Sequence, residues 1–137
     1  MTKELLEEYL SKLDEIKELE EKIENLKEST IGNDVIMDYR TGYPRPQSVI
    51  AVDQEKYFNL RKRYEKSMLQ LKSECQQVEE FIDGIRDSKT RRIFRMYYME
   101  GKKQEEISAA VHIERSYVSK KIDKYLKDSH NSHNSHL

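Results

Sequence analysis

The sequence predicts an all-α protein: a long antiparallel helical hairpin of the coiled-coil kind, followed by a three-helix unit of helix-turn-helix form. Three observations carry that expectation. Charged residues make up 37% of the 137 positions and hydrophobic residues only 36%. That balance is too polar for a large globular core but suits long helices that bury a narrow apolar stripe. Four Gly and two Pro leave little punctuation, so the elements should be few and long. Finally, apolar residues recur three and four positions apart over two long stretches, and after Ser88 the rhythm shortens.

The first stretch, residues 3–28, contains no Gly or Pro. Leu5, Tyr9, Ile16, Leu19, Ile23 and Leu26 follow alternating steps of four and three, with Lys12 filling one slot and Leu6, Leu10 and Leu13 on the flanks. This is a short heptad seam, with Glu and Lys on the solvated faces. At ~1.5 Å per residue such a helix runs about 40 Å. Thr30, Gly32 and Asn33 are expected to stop it. Residues 30–52 then read as a connecting loop around Pro44 and Pro46, with Ser48–Val52 briefly extended. Such a length is unusual enough that Tyr39, Tyr43 and Arg45 could instead form a partner-contacting surface. Asp53 is a suitable N-cap for the second long helix. Its stripe runs through Tyr57, Leu60, Tyr64, Met68, Leu71, Cys75, Val78, Ile82 and Ile85. Two such helices joined by one loop suggest an antiparallel hairpin over residues 1–87, or pairing with another subunit, most simply as a homodimer.

Between Ser88 and Lys127 three short helices are expected, at 89–99, 104–111 and 115–127. Ile93, Met96 and Tyr97 should face inward from the first, which Gly101 ends. Ile107 and Val111 serve the second, and Val118, Ile122 and Leu126 the third. The small residues Ser108, Ala109 and Ala110 let the third helix cross closely, and His112-Ile113-Glu114 makes the turn.

The charge is segregated. Residues 1–85 hold thirteen Lys/Arg and nineteen Asp/Glu, a net of −6; residues 86–128 hold twelve and seven, a net of +5. A basic unit on an acidic scaffold points to an anionic partner. With Val118 and Ile122 inward, Arg115, Ser116, Ser119 and Lys120 fall on the outer side near the start of the third helix. Arg and Ser there can reach base edges in a major groove, whereas Lys chiefly meets phosphate. Lys121, Lys124, Arg91 and Arg92 are candidate backbone contacts, and Tyr117 could either pack or touch a phosphate. Arg91 and Arg92 fall in a helix's first turn, where positive charge is unfavourable, a mild sign of anion binding.

The run from Arg91 through Ile93, Phe94, Met96, Tyr97, Tyr98 and Gly101, continued by Gln104-Glu105-Glu106-Ile107, Val111-His112-Ile113, Val118 and Ile122, resembles region 4 of bacterial sigma factors. The likeness covers about forty C-terminal residues. With the acidic hairpin in front, the whole chain resembles phage-encoded sigma-like regulators of the RinA and ArpU type. That resemblance implies a sequence-specific DNA-binding activator of late phage or prophage genes, working in the cytoplasm of a bacterial host on double-stranded DNA. It leaves bacterial RNA polymerase as a further partner. A polymerase- or sigma-binding adaptor and a small-terminase-like DNA-recognition subunit remain the alternatives. His112 replaces the usual Gly of the turn, Ser108 the usual Ala, Glu114 the usual Ser opening the recognition helix, and Lys103 the usual Ser cap.

No catalytic constellation, phosphate loop or paired-Cys metal spacing is present, so neither an enzyme nor a bound metal or cofactor is expected. No apolar run approaches a membrane span, and the charged start is no signal peptide. The single Cys75 lies on an apolar stripe and reads as packing in a reducing compartment. The polar tail 129–137, with His130, His133 and His136 spaced by three, reads as disordered rather than metal-binding.

Overall fold

A computed structural model of the chain describes the backbone of residues 1–41 and 47–135, and the side chains of residues 1–26 and 54–130. Every regular element among the described residues is helical. They are α1 (Lys3–Glu7), α2 (Tyr9–Thr41), α3 (Gln47–Asp83), α4 (Ser88–Phe94), a π-helical turn (Arg95–Met99), α5 (Gln104–Val111) and α6 (Arg115–Ser135). No described helix is long and apolar enough to cross a membrane.

Three expected element boundaries are corrected. Helix α2 continues past Thr30, Gly32 and Asn33 to Thr41, and α3 begins at Gln47 rather than after an Asp53 cap. Residues 30–52 are therefore not one loop. Weak helix formers such as Gly and Asn cost a running helix only about 1 kcal/mol each, whereas Pro costs about 3, and the first prolines are Pro44 and Pro46. The side chains of Tyr39, Tyr43 and Arg45 lie outside the described residues. Likewise α6 runs on to Ser135 where a disordered tail was expected. No Gly or Pro interrupts 129–135, and each added residue gains one more backbone bond.

Helices α2 and α3 pack together. The pairing is antiparallel, as cross-links at descending partners show. Tyr9 donates to the Glu79 carboxylate at 2.6 Å, Lys12 meets Glu74, Glu20 lies 3.9 Å from Lys72, and Lys22 sits over the Tyr64 ring. Lys12, the one polar residue in the α2 seam, is nearly buried and its ammonium bridges Glu74 and Glu8, so its charge is matched rather than stranded.

The chain divides into two compact units, residues 14–72 and the combination of 1–13 with 73–137. In the first, Ile16 and Leu19 are buried and Ile23, Tyr64, Met68 and Leu71 half-buried, as a two-helix seam requires. In the second, Phe94 is the hub of an aromatic cluster. Its ring stands edge-on to Phe81 and Tyr125, with centroids 6.2 and 5.3 Å away, and tilted to Tyr98 at 5.7 Å. In the same unit Ile82, Ile85, Ile93, Ile107, Val111, Val118 and Ile122 are buried, as are Leu6 and Tyr9. Cys75 is buried here too, and burial pushes its thiol pKa up, which favours a packing role.

The π-helical turn corrects one inward residue. A regular helix through 89–99 would direct Tyr97 to the core, but the wider turn shifts the phase by about one position. Met96 and Tyr98 are buried instead, and Tyr97 is half-buried, edge-on to Tyr98. The turn closes at Gly101, whose φ of 67° is left-handed, while the Lys102 N–H reaches back to the Met96 carbonyl at 2.9 Å.

Candidate nucleic-acid interface

Helix α5 carries Glu105 and Glu106 in its first turn and buries Ile107 and Val111. It ends at His112, whose φ and ψ of 59° and 48° are left-handed. The N–H groups of His112 and Ile113 both converge on the Ser108 carbonyl, the latter at 3.2 Å. Satisfying the orphan carbonyl this way reverses the chain within three residues. Helix α6 then starts, with the Tyr117 N–H on the Glu114 carbonyl at 2.9 Å. Helices α4, α5 and α6 pack on one another pairwise.

One side of α6 is the core: Val118, Ile122 and Leu126 are buried and Tyr125 half-buried. At 100° per residue, Ser116, Lys120, Asp123 and Lys127 lie opposite, flanked by Ser119 on one side and Lys124 and Tyr117 on the other. All seven are exposed, as is Arg115 in the first turn. The structure thus places Ser116, Ser119, Lys120 and Lys124, with Tyr117 at the edge, on the accessible side of α6, whereas Arg115 falls by phase between Ile122 and Leu126 and is exposed in the first turn beside Glu105 of α5. Lys127 belongs with them, a residue the sequence reading passed over although it follows Lys120 by seven.

Several of these side chains are braced. Gln104 donates to the Ser119 hydroxyl at 2.8 Å, tying the start of α5 to α6. Arg115 pairs with Glu105 at 3.1 Å, with both side chains about two-thirds exposed or more. A pair so wet adds little stability and is easily exchanged for another anion. Lys120 stands over the Tyr117 ring at 5.3 Å, so this half-exposed ring packs along α6's own surface. Asp123, the acid within the stripe, is met by Lys3 of α1 at 3.2 Å. No local pattern could have revealed that partner.

Lys121 is half-buried, next to the apolar seam of α6. Arg91 and Arg92 sit apart from the α6 surface, on α4. Arg91 is half-buried and donates to the Ile85 carbonyl at 2.8 Å; Arg92 donates to the Ala110 carbonyl at 3.3 Å. Ala110 is in the last turn of α5, where unpaired carbonyls and the helix dipole favour a cation. These two arginines therefore have a physical reason for their place that involves no external anion. Nor do they stand in a first turn, as the sequence suggested: α4 begins at Ser88, which puts Arg91 and Arg92 in its last turn, and its start is capped by Asp87, whose carboxylate accepts from the Thr90 N–H at 3.0 Å and the Thr90 hydroxyl at 2.6 Å. Those bonds hold the Asp87 carboxyl below its usual pKa.

Among the described residues no group of His, Cys, Asp and Glu is arranged to hold a metal ion. Comparison with family models, curated proteins and solved structures returns no match to this chain.

Proposed function

We propose that the protein is a sequence-specific transcriptional regulator that binds double-stranded DNA, with α5 and α6 as its helix-turn-helix and α6 as the recognition helix. The observation that carries the reading is the two-sidedness of α6. Its apolar seam is committed to the core, while Arg115, Ser116, Ser119 and Lys120 stand exposed at its start. In this reading Arg115, Ser116 and Ser119 approach base edges, and Lys120, Lys124 and Lys127 meet phosphates. Gln104 fixes α5 against α6, and Arg91 and Arg92 hold α4 in place rather than touching DNA. Activation of late phage or prophage genes is what the resemblance to RinA- and ArpU-type regulators adds. A homodimer would present α6 to two half-sites separated by one or more helical turns of DNA.

The test is selection of bound fragments from phage and bacterial genomic DNA with the full chain, followed by titration of the selected duplex at several salt concentrations. Tight binding whose logarithm falls linearly with that of salt is the expected result. Failure to enrich any sequence over random DNA would remove the sequence-specific reading. Salt-independent association would remove the DNA-binding reading altogether.

A further inference from the structure

Helix α3 carries a second seam that α2 does not cover. Glu55, Phe58, Lys62, Glu65, Leu69 and Lys72 follow one another at alternating steps of three and four, and all six are exposed. Phe58 and Leu69 are 63% and 70% exposed, the most exposed of the large hydrophobic residues described. Steps of three and four keep a line of side chains on one side of a helix, the geometry another helix fills. Both apolar members lie in this line, 11 positions apart, or about 16 Å along the axis.

The order of the residues identifies what fills it. About the point between Arg63 and Tyr64, Glu55 mirrors Lys72, Phe58 mirrors Leu69, and Lys62 mirrors Glu65. Each mirrored pair is complementary: acid with base, apolar with apolar, base with acid. A two-fold interface requires this arrangement, because residue i of one copy meets j of the other and j meets i. A parallel, in-register pairing would instead set Glu against Glu and Lys against Lys at four of the six positions.

We infer that the protein forms an antiparallel homodimer through this face of α3, centred between Arg63 and Tyr64, with Phe58 of each copy against Leu69 of the other. Lys62 then meets Glu65 and Glu55 meets Lys72 across the two-fold. Glu65 also bonds Arg61 at 2.7 Å, and Lys72 lies 3.9 Å from Glu20 within its own chain. These contacts are about half exposed and yield readily to a partner of the same charge. The seam spans about 26 Å and is smaller than the roughly 800 Å² per partner of a standard interface, so association is weak and concentration-dependent. The inference goes beyond the DNA-binding reading and does not require it.

Sedimentation equilibrium of the full chain without DNA tests it, so the result is independent of whether DNA is bound. A monomer–dimer equilibrium is expected across roughly the micromolar to high-micromolar range. K62E and E65K each place like charges opposite one another twice and should weaken the dimer about tenfold or more; the K62E/E65K double variant should recover most of that loss. An equimolar mixture of F58C and L69C proteins under mild oxidation should form a disulfide-linked dimer that neither variant forms alone. A monomer throughout the range, a double variant no better than the singles, or F58C cross-linking to itself as readily as to L69C would each overturn the proposal. Because these six positions are exposed, helicity by circular dichroism should match the parent in every variant.

Discussion

His112 offers the sharpest quantitative test of the turn between α5 and α6. Its φ of 59° is the only positive value at a non-glycine position among the described residues. An L-residue in that conformation gives up about 1–2 kcal/mol relative to Gly through crowding of its Cβ, and His lies toward the lower end because it visits the region more often than most residues. Against this, Gly gains about 0.4–1 kcal/mol of chain entropy in the unfolded state. The imidazole is exposed, so truncation leaves no cavity. His112→Gly should therefore stabilise the protein slightly, by about 0.5 kcal/mol, raising Tm by about 2 °C and the urea midpoint by about 0.2–0.3 M. His112→Val is the opposing control. A β-branched residue is an outlier at positive φ, so this variant should be destabilised by about 1–2 kcal/mol. Urea titrations followed by circular dichroism measure all three proteins. If Gly destabilised and Val proved neutral, the turn would not be left-handed at 112, and the geometry that aims α6 would have to be redrawn.

Three further outcomes follow from the same structure. If Arg115 pairs with a guanine, Arg115→Ala should cost about 1–3 kcal/mol on a selected duplex and relax preference there, while Lys124→Ala should weaken cognate and scrambled duplexes alike and lower the salt slope by about one unit. Equal losses on both duplexes for Arg115→Ala would demote Arg115 to a phosphate contact. The Tyr98 hydroxyl is buried without a hydrogen-bond partner, and burial pushes its pKa up; Tyr98→Phe should therefore stabilise by about 1 kcal/mol in a denaturant titration, and destabilisation would mean that the hydroxyl does find a partner. The Asp87 carboxyl titrates lower when folded than unfolded, so its contribution is present above the ordinary carboxylate pKa and is lost as pH falls through the lower, folded value. Acid titrations of the parent and Asp87→Asn should converge at low pH; a constant gap between them would refute the assigned cap.

Periodicity made the inward faces legible because burial depends on spacing, and spacing is local. Ile93, Met96, Ile107, Val111, Val118, Ile122 and Leu126 are buried where the three- and four-residue steps placed them. The exchange of Tyr97 for Tyr98 escaped because one wide turn of helix leaves no compositional mark. The helix ends at Thr41, Gln47 and Ser135 escaped because residues of middling propensity do not declare whether a helix already under way will stop. The outer surface of α6 was legible as a face, but its bracing was not. Gln104 on Ser119, Arg92 on Ala110 and Lys3 on Asp123 are fixed by tertiary approach, and nothing in the spacing of either partner announces the other.

That residues 1–13 share a compact unit with residues 73–137 bears on the order in which the chain can fold. Lys3 and Asp123 are 120 positions apart, and closing a flexible loop of that length directly costs about 4 kcal/mol in chain entropy before any contact repays it. Antiparallel zipping of α2 against α3 supplies a cheaper route, since each new contact brings the next within a short reach and ends by seating Tyr9 on Glu79. Refolding rates should then respond strongly to substitutions along the α2–α3 seam, while substitutions on α6 should act mainly on unfolding rates. During synthesis the dependence runs the other way in time. Leu6 and Tyr9 emerge well before their partners, which arrive only when the far half of α3 and the segments after it have been made. Until then these apolar side chains remain uncovered, a window in which a nascent chain is open to aggregation or to a chaperone.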